Sequence, residues 1–405
     1  MKVVQISTFP NGGAGIAAFR LHSSLMQFPH ITSEFLQKTH IPDKEYAQKN
    51  HIYTAPIGQS YLLRARKKFN LHTEHFHWNT LNSKPRDYEV ATFATTSYRL
   101  EELPLIKDAD IIHLHWVAEF INYPTFFKNI KQPIVWTLHD MNPFMGLFHY
   151  EEDEIRNSAL WSDINKKVLD QKIKAIHQHS NIHIVSPSQW MKEKAEKSEA
   201  LKQYPHEVIP HGIDLCQYPK LDNVQSKAEI GVNNGLKTIV FVASSTDNYR
   251  KGFDLLIDAI NLKDIKYNLI SVGGPQIKLN DNINHIHFER INDVAKLNAI
   301  YSAGDITIIP SREEAFNLVM IESFANGTPV LSFSTGGMAE HVKNGITGIL
   351  EYNIDSTSLA NDIEDFLKDK YDFDRHIIRQ YAIDNFSDKV QTEKYIQLYK
   401  NILDK

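Results

Sequence analysis

One cysteine, Cys216, in 405 residues leaves no partner for an internal disulfide. The fold must be held by burial and hydrogen bonding, and the chain suits a reducing compartment. Long apolar runs are also missing. No stretch approaches the ~20 residues of a membrane-spanning helix, so contact with a membrane would come from one face only. The apolar run after Met1-Lys2 is too short for a secretory leader and reads as a first strand. These absences set the expectation of a cytoplasmic protein, associated at most with the inner face of the cell membrane. Excess positive charge is absent as well, with 44 Lys and Arg against 49 Asp and Glu, a net charge of −5. That argues against nucleic acid as the main partner. Convincing metal-ligand spacing is lacking too. The cluster His149-Tyr150-Glu151-Glu152 does not have it, and no Asp-x-Asp pair closes a strand. Neither a metal nor a cofactor is expected.

What is present is an ordinary globular composition, 42% hydrophobic and 23% charged, long enough for two or three domains of about 100–200 residues. Short β-branched runs alternate with helical periodicity, twice over. Val3–Ser7, Asp110–Trp116, Pro133–Asp140 and Ile182–Ser188 form the first series. Thr238–Ala243, Tyr267–Val272, His285–Ile291, Ile306–Ile309 and Val330–Phe333 form the second, beyond a polar stretch, 219–236, that reads as a linker. Strands separated by helices imply parallel sheets, so the class is α/β. Two such sheets imply a ligand cleft between domains.

The stretch with the most chemistry runs from Pro310 to Val330. A strand stops at Pro310, Glu313 and Glu314 follow, and a helical pattern carries Glu322 to Asn326-Gly327. Glu314 and Glu322 are eight residues apart, a rise of about 12 Å if most of the span is helical. That is roughly the reach from the hexose to the ribose of a nucleotide-sugar. The first helical turn, Phe316-Asn317-Leu318, would aim backbone N–H groups at the diphosphate between them. The acids would equally complement the helix dipole without binding anything.

Three other places carry candidate groups. Asn11-Gly-Gly-Ala-Gly15 is read as a loop ahead of a helix at Ile16–Phe28, with Gly13 and Gly15 letting a ligand approach the backbone. His115 and His139 tip two strands at the carboxyl edge, where parallel sheets bind ligands, whereas His113 falls on the packed side. Between 61 and 86, Arg64, Arg66, Lys67, Lys68, Lys84 and Arg86 face one acid, Glu74, among Leu62, Leu63, Phe69, Phe76 and Trp78. That pattern suits an anionic membrane surface or a phosphate-bearing acceptor, and it equally suits a solvated helix face.

In order along the chain stand the Gly12-Gly13 loop, the histidine-tipped strands, Ile209-Pro-His-Gly-Ile-Asp214, Arg250-Lys-Gly252, Gly273-Gly-Pro275, Glu314/Glu322, Gly327-Thr-Pro329 and Gly336-Gly337. As an ordered set they resemble the retaining glycosyltransferases of group 1 (family 4), of the type that assembles polysaccharide and lipopolysaccharide. The resemblance implies a GT-B architecture, two Rossmann-like domains with parallel sheets facing across a cleft. Residues 1–210 would bind the acceptor, 211–385 the donor, and 386–405 would return as a helix onto the first domain. It implies transfer of a hexose-type sugar from a UDP- or GDP-sugar to a glycan or lipid-linked acceptor, without metal. Lys251 and Arg250 would neutralise the diphosphate, and Glu322 would hold the ribose. Glu314 would contact the transferred sugar, and the N–H groups of Phe316, Asn317 and Leu318 its phosphate end. Gly13, Gly15 and Gly274 would line the donor, backbone near Arg290-Ile291 would read the base, and His115 and His139 would sit by the reacting sugar. The chain departs from the family in three places. Thr246 stands where an arginine is usual, Ala315-Phe316-Asn317 replaces Gly-Phe-Gly, and Glu313 is a second acid beside Glu314. The alternatives are a nucleotide-sugar 2-epimerase or a pyridoxal-phosphate phosphorylase of the same fold, and a non-catalytic nucleotide-sugar or glycan-binding protein.

Overall fold

A computed structural model describes residues 1–56, 72–232, 235–243, 247–276 and 279–404. The chain divides into two compact units, one of Met1–Ile209 with Thr392–Lys405, the other of Pro210–Gln391. Each is organised on one parallel sheet, as the alternation of strands and helices requires.

The first sheet comprises β1 (Lys2–Ser7), β2 (Thr32–Gln37), β3 (Ile52–Thr54), β4 (Ile111–Leu114), β5 (Ile134–Thr137), β6 (Ile182–Ser186) and β7 (His206–Val208). Its order is β3-β2-β1-β4-β5-β6-β7, and every pair is parallel. The second comprises β8 (Thr238–Val242), β9 (Tyr267–Val272), β10 (Ile283–Phe288), β11 (Ile306–Ile309), β12 (Val330–Phe333) and β13 (Gly348–Glu351), ordered β10-β9-β8-β11-β12-β13. Strand order reverses between β1 and β4 in the first sheet, and between β8 and β11 in the second. Loops leaving two such strands diverge and open a crevice above their carboxyl ends. Those loops begin at Thr8 and His115 in one unit, and at Ala243 and Pro310 in the other.

Several sequence expectations are corrected. The first helix is Gly12–Leu25, so Gly13 and Gly15 lie in its first turn and not in a loop. The 219–236 stretch is not a bare linker: Asn223–Ile230 is a helix, because Asp222 caps the N–H of Gln225 at 2.9 Å and Gly231, at φ 87°, closes it. β10 ends at Phe288, three residues before the expected limit. β2 and β3 carry no strong alternation and were not legible. The acid cluster after His149 opens a 26-residue helix, Glu151–Ile176, whose first turn holds Glu151, Glu152, Asp153 and Glu154. Those charges face the positive end of the helix dipole.

The last helix, Asp388–Leu403, buries Tyr395, Leu398, Tyr399 and Ile402 against Val3, Ile111, Val135 and Val185 in the first unit. Spacings of three, one and three put the four on one helical face, and Leu398 and Ile402 each contribute roughly 1.5–3 kcal/mol on burial. In the second unit, Leu256, Ile308, Leu331, Phe333 and Ile363 share one core cluster, while Met320, Ile321 and Phe324 pack with Ile213 and Phe386 in another. Among the described residues, no helix is long and apolar enough to cross a membrane.

Candidate active site

The loops at the β8/β11 reversal build a charged cluster in the second unit. Asn248 accepts from the Arg250 N–H at 3.0 Å and starts a single 3-10 turn, Tyr249–Lys251. Gly252 ends that turn at φ 65°, and a Cβ there would stand 1.8 Å from the Pro310 carbonyl oxygen. Only glycine combines that backbone angle with that approach, and so Lys251 is held beside the loop after β11. The Lys251 Nζ lies 2.5 Å from Glu314 Oε1, and Arg250 Nη1 lies 3.1 Å from Oε2. Ser311 Oγ (3.0 Å) and Asn317 Nδ2 (3.1 Å) also donate to Oε1. Gly336, at φ 48°, approaches so closely that its Cβ would be 1.5 Å from the Glu314 carbonyl oxygen. Glu314 is thus buried and surrounded by donors. Burial on its own would raise its pKa, but the charges of Lys251 and Arg250 outweigh it and hold the carboxyl below its usual range. Glu313 contributes its backbone carbonyl, which accepts from Arg250 Nη1 at 3.0 Å.

The helix expected to start near Phe316 starts at Leu318 and runs to Ala325. Asn317 is its N-cap and accepts from the Val319 N–H at 2.9 Å. The first helical turn therefore begins two residues later than expected, with the Val319 N–H taken by the cap, and only part of the span between Glu314 and Glu322 is helical. Asn317 does two jobs with one amide, since its oxygen caps the helix while its nitrogen binds Glu314. Phe316 lies outside the helix, with its ring 5.3 Å from His211 and 5.9 Å from both His341 and Phe386. Glu322 is nearly buried and accepts from the Tyr301 hydroxyl at 3.0 Å. Gly274, at φ 67°, sits in the turn after β9. Arg290 is exposed beyond β10 and reaches Asn292 Oδ1 at 3.2 Å, with Ile291 half-buried beside it.

In the first unit, the β1/β4 reversal brings together the helix start at Gly12 and the end of β4. Gly13 is exposed and Gly15 buried, in a first turn with no side-chain cap. His115, at the end of β4, is only 2% exposed. Its Nε2 meets Gln5 Oε1 at 2.5 Å and its Nδ1 meets His139 Nε2 at 3.1 Å. His139 is the more exposed of the pair. His113 is fully buried, as its position in the pattern implied, between the hydroxyls of Tyr399 and Thr137.

Below His139 lies a network that the sequence did not announce. Asp140 Oδ2 accepts from Trp116 Nε1 and from His149 Nδ1, both at 2.6 Å, and its Oδ1 accepts from the Asn142 N–H at 3.0 Å. The fully buried Lys172 donates to the Asn142 carbonyl (2.7 Å) and Oδ1 (2.9 Å), and to the carbonyls of Met145 (3.2 Å) and Gly146 (2.7 Å). One ammonium thus gathers the segment that follows β5. The six basic residues expected at a membrane fare differently. Arg64, Arg66, Lys67 and Lys68 lie outside the described residues. Lys84 donates to the Leu160 carbonyl, and Arg86 to Asn82 Oδ1 at 2.7 Å. Phe76 and Trp78 are 55% and 60% exposed on the Thr73–Asn82 helix.

Two parallel sheets, each with a strand-order reversal at which polar groups gather, define a doubly wound α/β protein. The comparisons narrow this. Residues 236–369 match the family described as glycosyl transferases group 1, so the second unit carries a group 1 glycosyltransferase domain. An uncharacterised glycosyltransferase of Methanocaldococcus jannaschii is 26% identical over 302 residues, covering 71% of each chain. The lipopolysaccharide 1,2-N-acetylglucosaminetransferase of Salmonella typhimurium is 28% identical over 330 residues, covering 71% of this chain and 84% of that one. Among solved structures, sucrose-phosphate synthase from Thermosynechococcus elongatus superposes with a TM-score of 0.69 at 18% identity, over 99% and 98% of the two chains. Anabaena HepE, solved in complex with UDP-glucose, gives 0.66 at 16% identity over 99% and 100%. The fold is that of the GT-B glycosyltransferases.

Proposed function

We propose that this chain transfers a hexose-type sugar from a UDP- or GDP-sugar to a glycan or lipid-linked acceptor, with retention of configuration and without metal. Surface polysaccharide assembly is the setting that the Salmonella relative suggests. The observation that carries this reading is the cluster of Lys251, Arg250 and Glu314 at the β8/β11 reversal, beside the start of the Leu318–Ala325 helix. A nucleoside diphosphate leaves as a stable anion and needs charge neutralisation more than a proton. Two cations and a helix N-terminus provide that. Glu322, oriented by Tyr301, suits a ribose diol, which requires an acceptor of hydrogen bonds. Glu314 approaches the sugar from within its shell of donors, and His139, backed by His115, is the more accessible imidazole of that pair.

The test is incubation of the intact protein with UDP-glucose or GDP-sugars, with and without oligosaccharide acceptor. Nucleoside diphosphate should accumulate faster when acceptor is present. Conversion of the donor alone to an epimer would replace this reading with a 2-epimerase, and binding with no turnover on any acceptor would replace it with a binding protein. In calorimetry, Glu322→Ala should weaken donor binding about tenfold, the worth of a charged hydrogen bond; unchanged affinity would remove Glu322 from the site.

The membrane contact is a second proposal, supported by the exposed Phe76 and Trp78 and by the basic composition of 61–86. Aromatic rings and lysines or arginines together favour an anionic interface. The protein should sediment with vesicles containing anionic lipid, and neutralising Arg64, Arg66, Lys67 and Lys68 together should abolish this. Equal sedimentation of the variant would reduce the stretch to ordinary surface.

A further inference from the structure

The last helix sends two tyrosine hydroxyls into the interior of the first unit. Tyr395 and Tyr399 are one turn apart and fully buried. The Tyr399 hydroxyl lies 2.6 Å from His113 Nδ1, and His113 Nε2 lies 2.7 Å from Thr137 Oγ1. Thr137 Oγ1 is in turn 2.7 Å from the Tyr395 hydroxyl. The His113 ring stacks on His115, centroids 4.2 Å apart at 29°, and His115 contacts His139 at 3.1 Å. A continuous polar chain therefore leads from the last helix to the imidazole pair, across 286 residues of sequence at its longest step.

The polarity of that chain can be worked out. Gln5 Oε1 can only accept, so His115 Nε2 carries a hydrogen. In a neutral ring, His115 Nδ1 must then accept, and the hydrogen between the two rings belongs to His139 Nε2. The His139 ring is thereby oriented, with Nδ1 as its acceptor nitrogen. This depends on His115 keeping its place, and the surface on which it rests is the His113 ring. His113 is itself held neutral, because burial carries its pKa well below the ordinary value and nearby His139 adds to the effect. A neutral ring has one donor and one acceptor nitrogen, and Tyr399 and Thr137 supply a hydroxyl to each. An apolar core would fill the same space without four buried polar groups, each of which has to be satisfied.

We propose that Tyr399 is a positioning residue for the transfer reaction: from the last helix, its hydroxyl fixes the His113 ring on which His115, and through it His139, is oriented. This rests on the reading above, in which His139 belongs to the reacting site.

The test compares Tyr399→Phe, Tyr395→Phe and His139→Ala in the full chain. Long-range nitrogen–proton NMR of histidine-labelled protein reports ring tautomers directly. In wild type, His115 should appear as the Nε2–H form. In Tyr399→Phe, the His113, His115 and His139 signals should shift or broaden, whereas Tyr395→Phe should move His113 alone. Release of UDP from UDP-glucose, with water as acceptor, should fall about tenfold in kcat for Tyr399→Phe at unchanged affinity for UDP. Tyr395→Phe should lose much less. His115 and His139 signals unchanged in Tyr399→Phe would overturn the proposal, as would equal losses in the two tyrosine variants, which would mean a purely structural role. If His139→Ala keeps full turnover, it is the assignment of the reacting site that fails instead.

Discussion

UDP-glucose affinity should fall about 100-fold in Lys251→Ala and rise in Glu314→Gln, although both variants lose turnover. The opposite signs follow from one geometry. Lys251 and Arg250 are both committed to the Glu314 carboxylate, at 2.5 and 3.1 Å. A diphosphate entering the cluster therefore competes with an internal anion for the same cations. Removing Lys251 takes away a charge-assisted bond worth about 2–3 kcal/mol. Replacing Glu314 by its neutral amide keeps the shape and removes the competitor. The sugar would then lose its charged partner, so tighter binding comes with slower transfer, and kcat should drop by about two orders of magnitude. Calorimetry with UDP-glucose and initial rates of UDP release would show both effects. Weaker binding in Glu314→Gln would mean that the carboxylate holds the donor directly and does not compete with it. The same cluster sets an acid limit. The carboxyl of Glu314 is held below its ordinary pKa in the fold, so its ionised form stabilises the protein above the unfolded value of about 4.3. That contribution disappears as pH falls through the lower, folded value.

The second large effect concerns Lys172. Burial lowers its pKa from 10.5 to about 7, with Asp140 pulling it part of the way back. In the unfolded chain the amine keeps its proton up to about pH 10, whereas in the fold it gives it up near pH 7. Between those limits the unfolded state binds more protons, so stability rises with pH, by up to about 1.4 kcal/mol per unit. Below pH 7 the full cost of burying the charge, roughly 5 kcal/mol, is present. Asp140, His149 and Tyr123 are the titratable groups near this amine. Lys172→Met should remove the slope, so its deficit against wild type should widen from pH 7 to 9. Lys172→Ala should lose about 3–5 kcal/mol at pH 8, through the cavity and the loss of the ammonium's bonds to four oxygens. Urea unfolding at several pH values would decide this, and parallel stability curves for wild type and Lys172→Met would refute the assigned titration. Because Lys172 gathers the segment after β5, turnover should fall in both variants even where the fold survives.

The architecture was largely legible because parallel sheets write a local signature, apolar runs of four to six residues with helices between them. β4, β5, β8, β9, β11 and β12 follow such runs to within a few residues. The glycine motifs were legible for a similar reason. Gly252 and Gly336 sit at backbone angles that other residues rarely adopt, so their positions are forced by the chain itself. The start of the Glu322 helix was misplaced because periodicity continues through Phe316, whereas Asn317 supplies the cap that decides it. β2 and β3 escaped because a Thr-Ser-Glu start and a three-residue strand give too little pattern to read.

The roles of single side chains divide along the same line. By itself the sequence determined two α/β units, their strand ends, and the short motifs that carry Glu314, Glu322, Lys251 and the glycines. Each of those features is encoded within a dozen residues. Tertiary structure alone decided that Glu314 holds Lys251 across 63 residues. It also decided that His115 is buried behind His139, that Lys172 collects the segment below them, and that Tyr399 reaches His113 from the far end of the chain. Those contacts depend on which elements the sheets bring together. Local periodicity says only that a residue faces inward, and a buried polar group acquires its chemistry from the distant partner that satisfies it.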